Sequence, residues 1–277
     1  MKRINRILGA ILQQLRFKLT LLHHRALRSL HKERTISLDY WLKFEVIVKQ
    51  IFRSPEVLLP SYYMSLESTG ESLQAPELRQ LLHHDVLGKW SLDRTTINFL
   101  WQRLQRDRPK IILECGAGVS TLILAKYAAS NGSGLSDAPS IFSFEQKLQI
   151  KKTIETRLSE CGLGGHVQIL YAPFSETASY EIDVDELAKQ LRSRKADWLL
   201  IDGPAGPKGC RIHTLPLLAR FCRSGARWFL DDAFREGELG ILREWRKLPR
   251  IVVEGIHPIG KGLGTGLVKH PQRFALQ

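Results

Sequence analysis

The sequence has no run of about 18 consecutive apolar residues, so none of its segments reads as a membrane-spanning helix. Its N-terminus lacks the compact apolar stretch and small-residue cleavage site of a secretory signal. Cysteine is scarce. Cys115, Cys161, Cys210 and Cys222 show no CxxC or Cys/His ligand spacing, which argues against a zinc site or a disulfide framework and for reduced thiols in a cytoplasmic setting. Internal repeats and low-complexity tracts are absent as well. Acidic residues are nearly missing from positions 1–34, where nine Lys/Arg stand against Glu33 alone, an excess of eight out of the formal +13 of all 277 residues. Since the basicity belongs mainly to this leading segment, a nucleic-acid partner for the protein as a whole is disfavoured.

Three regions follow from the patterning. In residues 1–34, Ile4, Ile7, Leu8, Ile11, Leu12, Leu15, Leu19 and Leu22 recur at helical intervals beside Lys and Arg, whereas Phe17 and Leu21 fall off that stripe. This is a basic amphipathic helix. It suits an anionic membrane surface, on the inner face for a cytoplasmic protein, and equally suits packing against its own domain or a partner chain. Residues 35–107 read as a helical preface, broken at Pro55, Pro60, Gly70 and Pro76. Its last helix is expected to start at Ser91 as N-cap, with Asp93 in the first turn, and to stop at Arg108-Pro109. From 108 to 277 short apolar runs alternate with helical stretches: 110–113, 141–144, 167–170, 197–201, 227–230 and 250–256. Such alternation predicts an α/β domain with a doubly wound, mostly parallel sheet. The glycine-rich stretch after 256 is short enough for a hairpin, so the last strand should return antiparallel. Within it "GKGLGTG", 260–266, lacks the GxxxxGK[ST] order of a phosphate loop.

Ligands of such sheets bind beyond the carboxyl ends of the strands. The first strand–turn–helix is "IILECGAGVSTLILA", 111–125, in which Thr121 stands where a dinucleotide GxGxxG turn has its third glycine. That disfavours an NAD-dependent oxidoreductase. Gly116 and Gly118 still permit close backbone approach, and Ser120 and Thr121 place hydroxyls and N–H groups at a helix N-terminus, suited to a carboxylate. Glu145, ending the second run in "SFEQ", is placed to accept both hydroxyls of a ribose.

Together "LECGAGVST", "SFEQ", "DWLLIDGP" and "FLDDAFREGE" resemble the class I S-adenosylmethionine-dependent methyltransferases, in the branch with an ExGxGxST first motif and a DGP fourth motif. The resemblance spans about residues 90–277. It implies a seven-stranded Rossmann-like sheet with an antiparallel last strand. It also implies Glu114, Gly116, Gly118, Ser120 and Thr121 around the methionine part of S-adenosylmethionine, and Glu145 at its ribose. The stretch "YAPFSE" departs from relatives that carry an acid near the adenine after the third strand, so the adenine contacts stay unassigned.

In-line methyl transfer needs an aligned, activated acceptor. Asp202 ends the fourth strand, while Asp231 and Asp232 end the fifth. Asp202 and Asp231 are therefore the catalytic candidates, and two roles are open to the trio. Asp202, Asp231 and Asp232 can hold a divalent cation, as in cation-dependent O-methyltransferases, or Asp202 can act directly as general base. Asp232 or its neighbour can instead cap the loop and pair with Arg235. The segment 202–218 also resembles glucuronoxylan O-methyltransferases, which would set Arg211 and Arg235 against a carboxylate-bearing sugar. The expected acceptor is a hydroxyl of a glycan, a lipid-linked saccharide or a small metabolite. A catalytically silent binding module is the non-enzymatic alternative.

Overall fold

The computed structural model describes residues 2–30, 34–52, 57–58, 71–88, 90–132, 138–175 and 179–269, with side chains from Arg6 onward. Ile4, the breaks at Pro55, Pro60 and Gly70, and the middle of the 130–140 loop lie outside what is described of side chain or backbone. Helix α1 runs over Lys2–Leu30, α2 over Leu38–Phe52, α3 over Pro76–Leu81 and α4 over Arg94–Asp107. There follow β1 (Ile111–Cys115), α5 (Val119–Ser130), β2 (Ser140–Glu145), α6 (Leu148–Glu160), β3 (Val167–Tyr171), α7 (Val184–Leu191) and β4 (Ala196–Ile201). The chain closes with α8 (Thr214–Leu218), β5 (Cys222–Leu230), α9 (Glu236–Trp245), β6 (Ile251–His257) and β7 (Leu263–Val268).

The seven strands lie in the order β3-β2-β1-β4-β5-β7-β6. Strands β1 to β5 pair in parallel, and β7 is inserted antiparallel between β5 and β6, which meets the hairpin expectation. Period-2 side-chain alternation splits the core between the two faces of the sheet. Ile111, Leu113 and Cys115 of β1 join Phe144, Leu199, Ile201 and Trp228 on one face, under α7, α8 and α9. Ile112 joins Ile141, Trp198, Leu200 and Phe229 on the other, under α4, α5 and α6.

The preface packs on both faces. From α2, Trp41 meets Phe234 with ring centroids 4.4 Å apart, and residue Ile36 bridges to Ile256 at the β6 edge. From α4, Ile97, Leu100 and Leu104 are buried against α5 and the sheet. The N-cap of α4 is Asp93, not Ser91: its Oδ1 accepts from the amides of Thr95 at 2.8 Å and Thr96 at 3.2 Å. A carboxylate bonded to the first free amides also complements the positive end of the helix dipole.

Helix α1 does not pack on the body through its apolar stripe. Its apolar stripe faces outward, with Ile7, Leu8, Ile11, Leu12, Leu15, Leu19 and Leu22 between 48% and 59% exposed. Contact with the body is made from the opposite side, by Arg16, Thr20, His24 and Leu27 with help from Phe17 and Leu21. Every side chain from Arg6 to Leu15 is exposed. Among the described residues no helix is long and apolar enough to cross a membrane.

Candidate active site

Strand order reverses between β1 and β4, and there the loops that follow them separate to leave a cleft of about 590 Å³. Two glycines set its geometry in different ways. Gly116 has φ +93°, and a Cβ there would lie 3.1 Å from Gly203 N and 3.2 Å from Asp202 C, so only glycine lets the β1 and β4 loops meet. Gly118 is extended, and a Cβ on it would meet nothing within 4 Å. The fold does not require glycine at 118. Its lack of a side chain leaves room in the cleft that it lines.

Of the residues expected at the cofactor, Gly116, Gly118, Ser120 and Glu145 line the cleft. Glu114 and Thr121 stand behind the turn instead. Glu114 Oε2 accepts from Thr121 Oγ1 at 2.7 Å, and Thr121 Oγ1 accepts from Gly118 N at 2.9 Å. This chain of bonds joins the end of β1 to the start of α5 and fixes the turn from within. Full burial pushes Glu114 up to about 7, while the hydroxyls of Ser120, Ser143 and Thr121 act in the opposite direction. At the tip of β2, Glu145 accepts from Lys147 N at 2.8 Å and Ala117 N at 3.1 Å, which ties its carboxylate to the β1–α5 turn at the cleft wall. Burial raises its pKa against those amide bonds.

Sequence reasoning missed several cleft residues. Gln146 spans the cleft mouth, donating to Ala205 O at 2.9 Å and accepting from Ala205 N at 2.8 Å. Tyr180 lines the wall and donates to Phe144 O at 3.4 Å. Trp90, 92% exposed, stands at the rim. Gln146 closes the "SFEQ" run directly after Glu145, whereas Tyr180 and Trp90 lie in no quoted motif and reach the cleft only through tertiary packing.

At the cleft floor Asp202, Asp231 and Asp232 converge, with one oxygen of each within 4.8 Å of the others. Three carboxylates are a donor set for a hard cation. Here, however, the same oxygens already face cationic side chains. Lys261 Nζ lies 3.1 Å from Asp231 Oδ2 and 2.9 Å from Asp232 Oδ1. Arg211 lies 3.3 Å from Asp202 Oδ1 and 3.5 Å from Asp232 Oδ2, and Arg235 lies 2.8 Å from Asp232 Oδ2.

Arg211, expected to meet a substrate carboxylate, lines the cleft with its guanidinium already engaged by the protein. Arg211 is buried and donates to the carbonyls of Asp202 at 2.6 Å, Asp231 at 3.1 Å and Pro204 at 3.4 Å. It clamps the ends of β4 and β5 together. Arg235 is at the cleft but committed to Asp232. Lys208 pairs with Glu236 at the surface, and His213 is exposed. Burial lowers His257 to about 4, and Thr35 Oγ1 lies 3.1 Å from its Nε2, so it packs as a neutral ring.

Asp202 is the acid of the trio that meets solvent, its side chain 21% exposed in the cleft wall. Burial, then the charge of Asp231, push it up to about 7 against the pull of Arg211 and Lys261. Asp231 is raised by burial too, whereas Lys261, Arg211 and Arg235 overcome burial at Asp232 and lower it.

A seven-stranded sheet in this order, with an antiparallel seventh strand and a glycine-turn cleft over β1 and β4, is the Rossmann-like methyltransferase fold. Comparison with known proteins adds the domain type. A family model described as a methyltransferase domain matches residues 113–233. No curated protein matches the chain in sequence. Among solved structures, a methyltransferase from Geobacter sulfurreducens is 15% identical with TM-score 0.51, covering 76% of this chain and 97% of its own. An S-adenosylhomocysteine-bound Podospora anserina methyltransferase is 14% identical with TM-score 0.54, over 75% and 93%. The Streptomyces achromogenes O-methyltransferase TomG, solved with S-adenosylmethionine, is 16% identical with TM-score 0.50, over 76% and 96%. The family match covers residues 113–233, and the structural likeness is one of fold.

Proposed function

We propose that the protein is an S-adenosylmethionine-dependent O-methyltransferase whose acceptor is a hydroxyl of a glycan, a lipid-linked saccharide or a small metabolite. The observation that carries this reading is the pairing, across one cleft, of a side-chain-free turn at Gly118 with the Glu145 carboxylate at the tip of β2. The turn leaves room for an amino-acid group at the N-terminus of α5, and Glu145 is placed to accept from two ribose hydroxyls. Bound there, the cofactor supplies an electrophilic methyl on a sulfonium. The structural relatives solved with S-adenosylmethionine or S-adenosylhomocysteine add support, and the comparisons lend none to a nicotinamide cofactor.

In this mechanism Asp202 takes the acceptor proton. A carboxylate with its pKa near 7 is a better match to a hydroxyl than one near 4, because the proton-transfer gap narrows. With S-adenosylmethionine held by the Gly118 turn and Glu145, the acceptor oxygen would take the sulfonium's methyl and the sulfur would leave as a neutral thioether. The hydroxyl proton passes to Asp202 and leaves through its exposed edge. Trp90 at the rim offers an apolar face to the acceptor. Isothermal titration with S-adenosylhomocysteine tests the reading, with micromolar binding expected and no heat expected from NADH. Binding of NADH alone would overturn it.

We further infer that α1 lies on an anionic membrane surface, which would keep the domain near a membrane-linked acceptor. The support is the exposed apolar stripe together with Lys18 and Arg25, one turn from Leu15 and Leu22 on its edge.

A further inference from the structure

The "GKG" stretch reads as a simple hairpin in the sequence, yet it delivers a buried charge to the cleft floor. Lys261 is 2% exposed, comes from the β6–β7 turn, and reaches carboxylates at the end of β5, about thirty positions earlier in the chain. The turn holding it has no slack. Phe234 N donates to Lys261 O at 3.2 Å, Ala233 N to Gly262 O at 2.9 Å, and Gly262 N to Ile259 O at 2.8 Å. Both flanking glycines are required by geometry. Gly260, at φ +50°, and Gly262, at φ +86°, adopt conformations that disfavour a side chain. A Cβ on Gly260 would also strike Asp93, and one on Gly262 would strike Phe234.

Charge balance explains why a lysine belongs there. Four carboxylates, Asp202, Asp231, Asp232 and Glu238, meet three cations, Lys261, Arg211 and Arg235. Burial alone would drive the proton from Lys261, but Asp231, Asp232 and Asp202 reverse that and raise its pKa. A divalent ion bound about 2.1 Å from the oxygens of Asp231 and Asp232 would have to displace the ammonium, since both seek the same atoms.

Resting on the methyltransferase reading above, we propose that the Lys261 ammonium is the resident cation of this site. It fills the place among Asp202, Asp231 and Asp232 that a divalent ion would otherwise take. The positive pole beneath the acceptor is then built into the chain, and the site binds no divalent metal while Lys261 is in place.

The experiment is calorimetric and electron-paramagnetic titration of the full-length protein with Mn²⁺, alongside S-adenosylhomocysteine on the same sample. The wild type is expected to bind no Mn²⁺ at this site with a dissociation constant below about 1 mM. The Lys261→Ala variant, with its carboxylates released, is expected to gain a Mn²⁺ site at least tenfold tighter, abolished by adding Asp232→Asn. Submillimolar Mn²⁺ binding by the wild type that Asp232→Asn removes would overturn the proposal, and that measurement stands even if Lys261→Ala fails to fold. A folded Lys261→Ala that gains no Mn²⁺ site would overturn it as well. Failure to bind S-adenosylhomocysteine would sink the methyltransferase reading and leave the Mn²⁺ result unaffected.

Discussion

Single residues behind and within the glycine turn do separable work. At Gly116 a methyl group faces both a positive φ and the Asp202-Gly203 backbone, so Gly116→Ala should lower stability by about 1–3 kcal/mol in urea unfolding. At Gly118 the same methyl meets no protein atom. Gly118→Ala should therefore leave the unfolding midpoint in place while weakening S-adenosylhomocysteine about tenfold or more in calorimetry. Glu114 gives a pH signature. Its pKa is near 7 folded against 4.5 unfolded, so the folded state holds a proton that the unfolded state sheds. Its contribution to stability is thus complete below about pH 4.5 and fades as pH rises to 7. The loss is on the order of 3 kcal/mol at 1.36 per unit. Glu114→Gln should remove this fall, so that the wild type loses ground to the variant between pH 4.5 and 7 and the difference then levels off.

At the scale of elements, what was legible followed from local periodicity. The strands β1 to β6 announce themselves as apolar runs, and the β1 turn as spaced glycines, because side-chain alternation and backbone freedom act over a few neighbours. The cleft floor was not legible. Lys261 meets Asp231 and Asp232 only because β7 inserts between β5 and β6, a pairing that no local pattern encodes. Arg211 likewise reads as a substrate-carboxylate partner in the sequence, and its bonds to the ends of β4 and β5 appear only once the turn before α8 folds it under β4. At the α4 start the sequence pointed to Ser91 as N-cap and put Asp93 in the first turn, two residues too early. The structure gives the role to Asp93, whose Oδ2 also accepts from Thr96 Oγ1 at 2.8 Å. Asp93→Ala should cost about 1–2 kcal/mol of stability, read by urea unfolding. Ser91→Ala, whose hydroxyl donates to Val86 O outside the helix, should cost less.

For the whole molecule the relevant feature is the unequal distribution of charge and apolar surface. The leading segment carries eight of the thirteen net positive charges, and its helix turns an apolar stripe to solvent while binding the body through its other side. A helix whose side chains from Arg6 to Leu15 are exposed among the described residues is marginal in water, so a surface that buries the stripe would stabilise it. Charge selects among such surfaces. Each basic residue held near an anionic bilayer contributes about 1 kcal/mol, a gain that salt screens. The protein should therefore sediment with vesicles of phosphatidylcholine containing phosphatidylserine, weakly with phosphatidylcholine alone, and less as salt rises. Leu12→Glu combined with Leu19→Glu changes two side chains that are more than half exposed, so S-adenosylhomocysteine binding should persist while sedimentation with anionic vesicles is lost. Equal sedimentation of the wild type and this variant would instead place the bilayer contact elsewhere. Wild-type dimers in analytical ultracentrifugation that the variant abolishes, with no vesicle binding by either, would assign the stripe to a second copy of the chain.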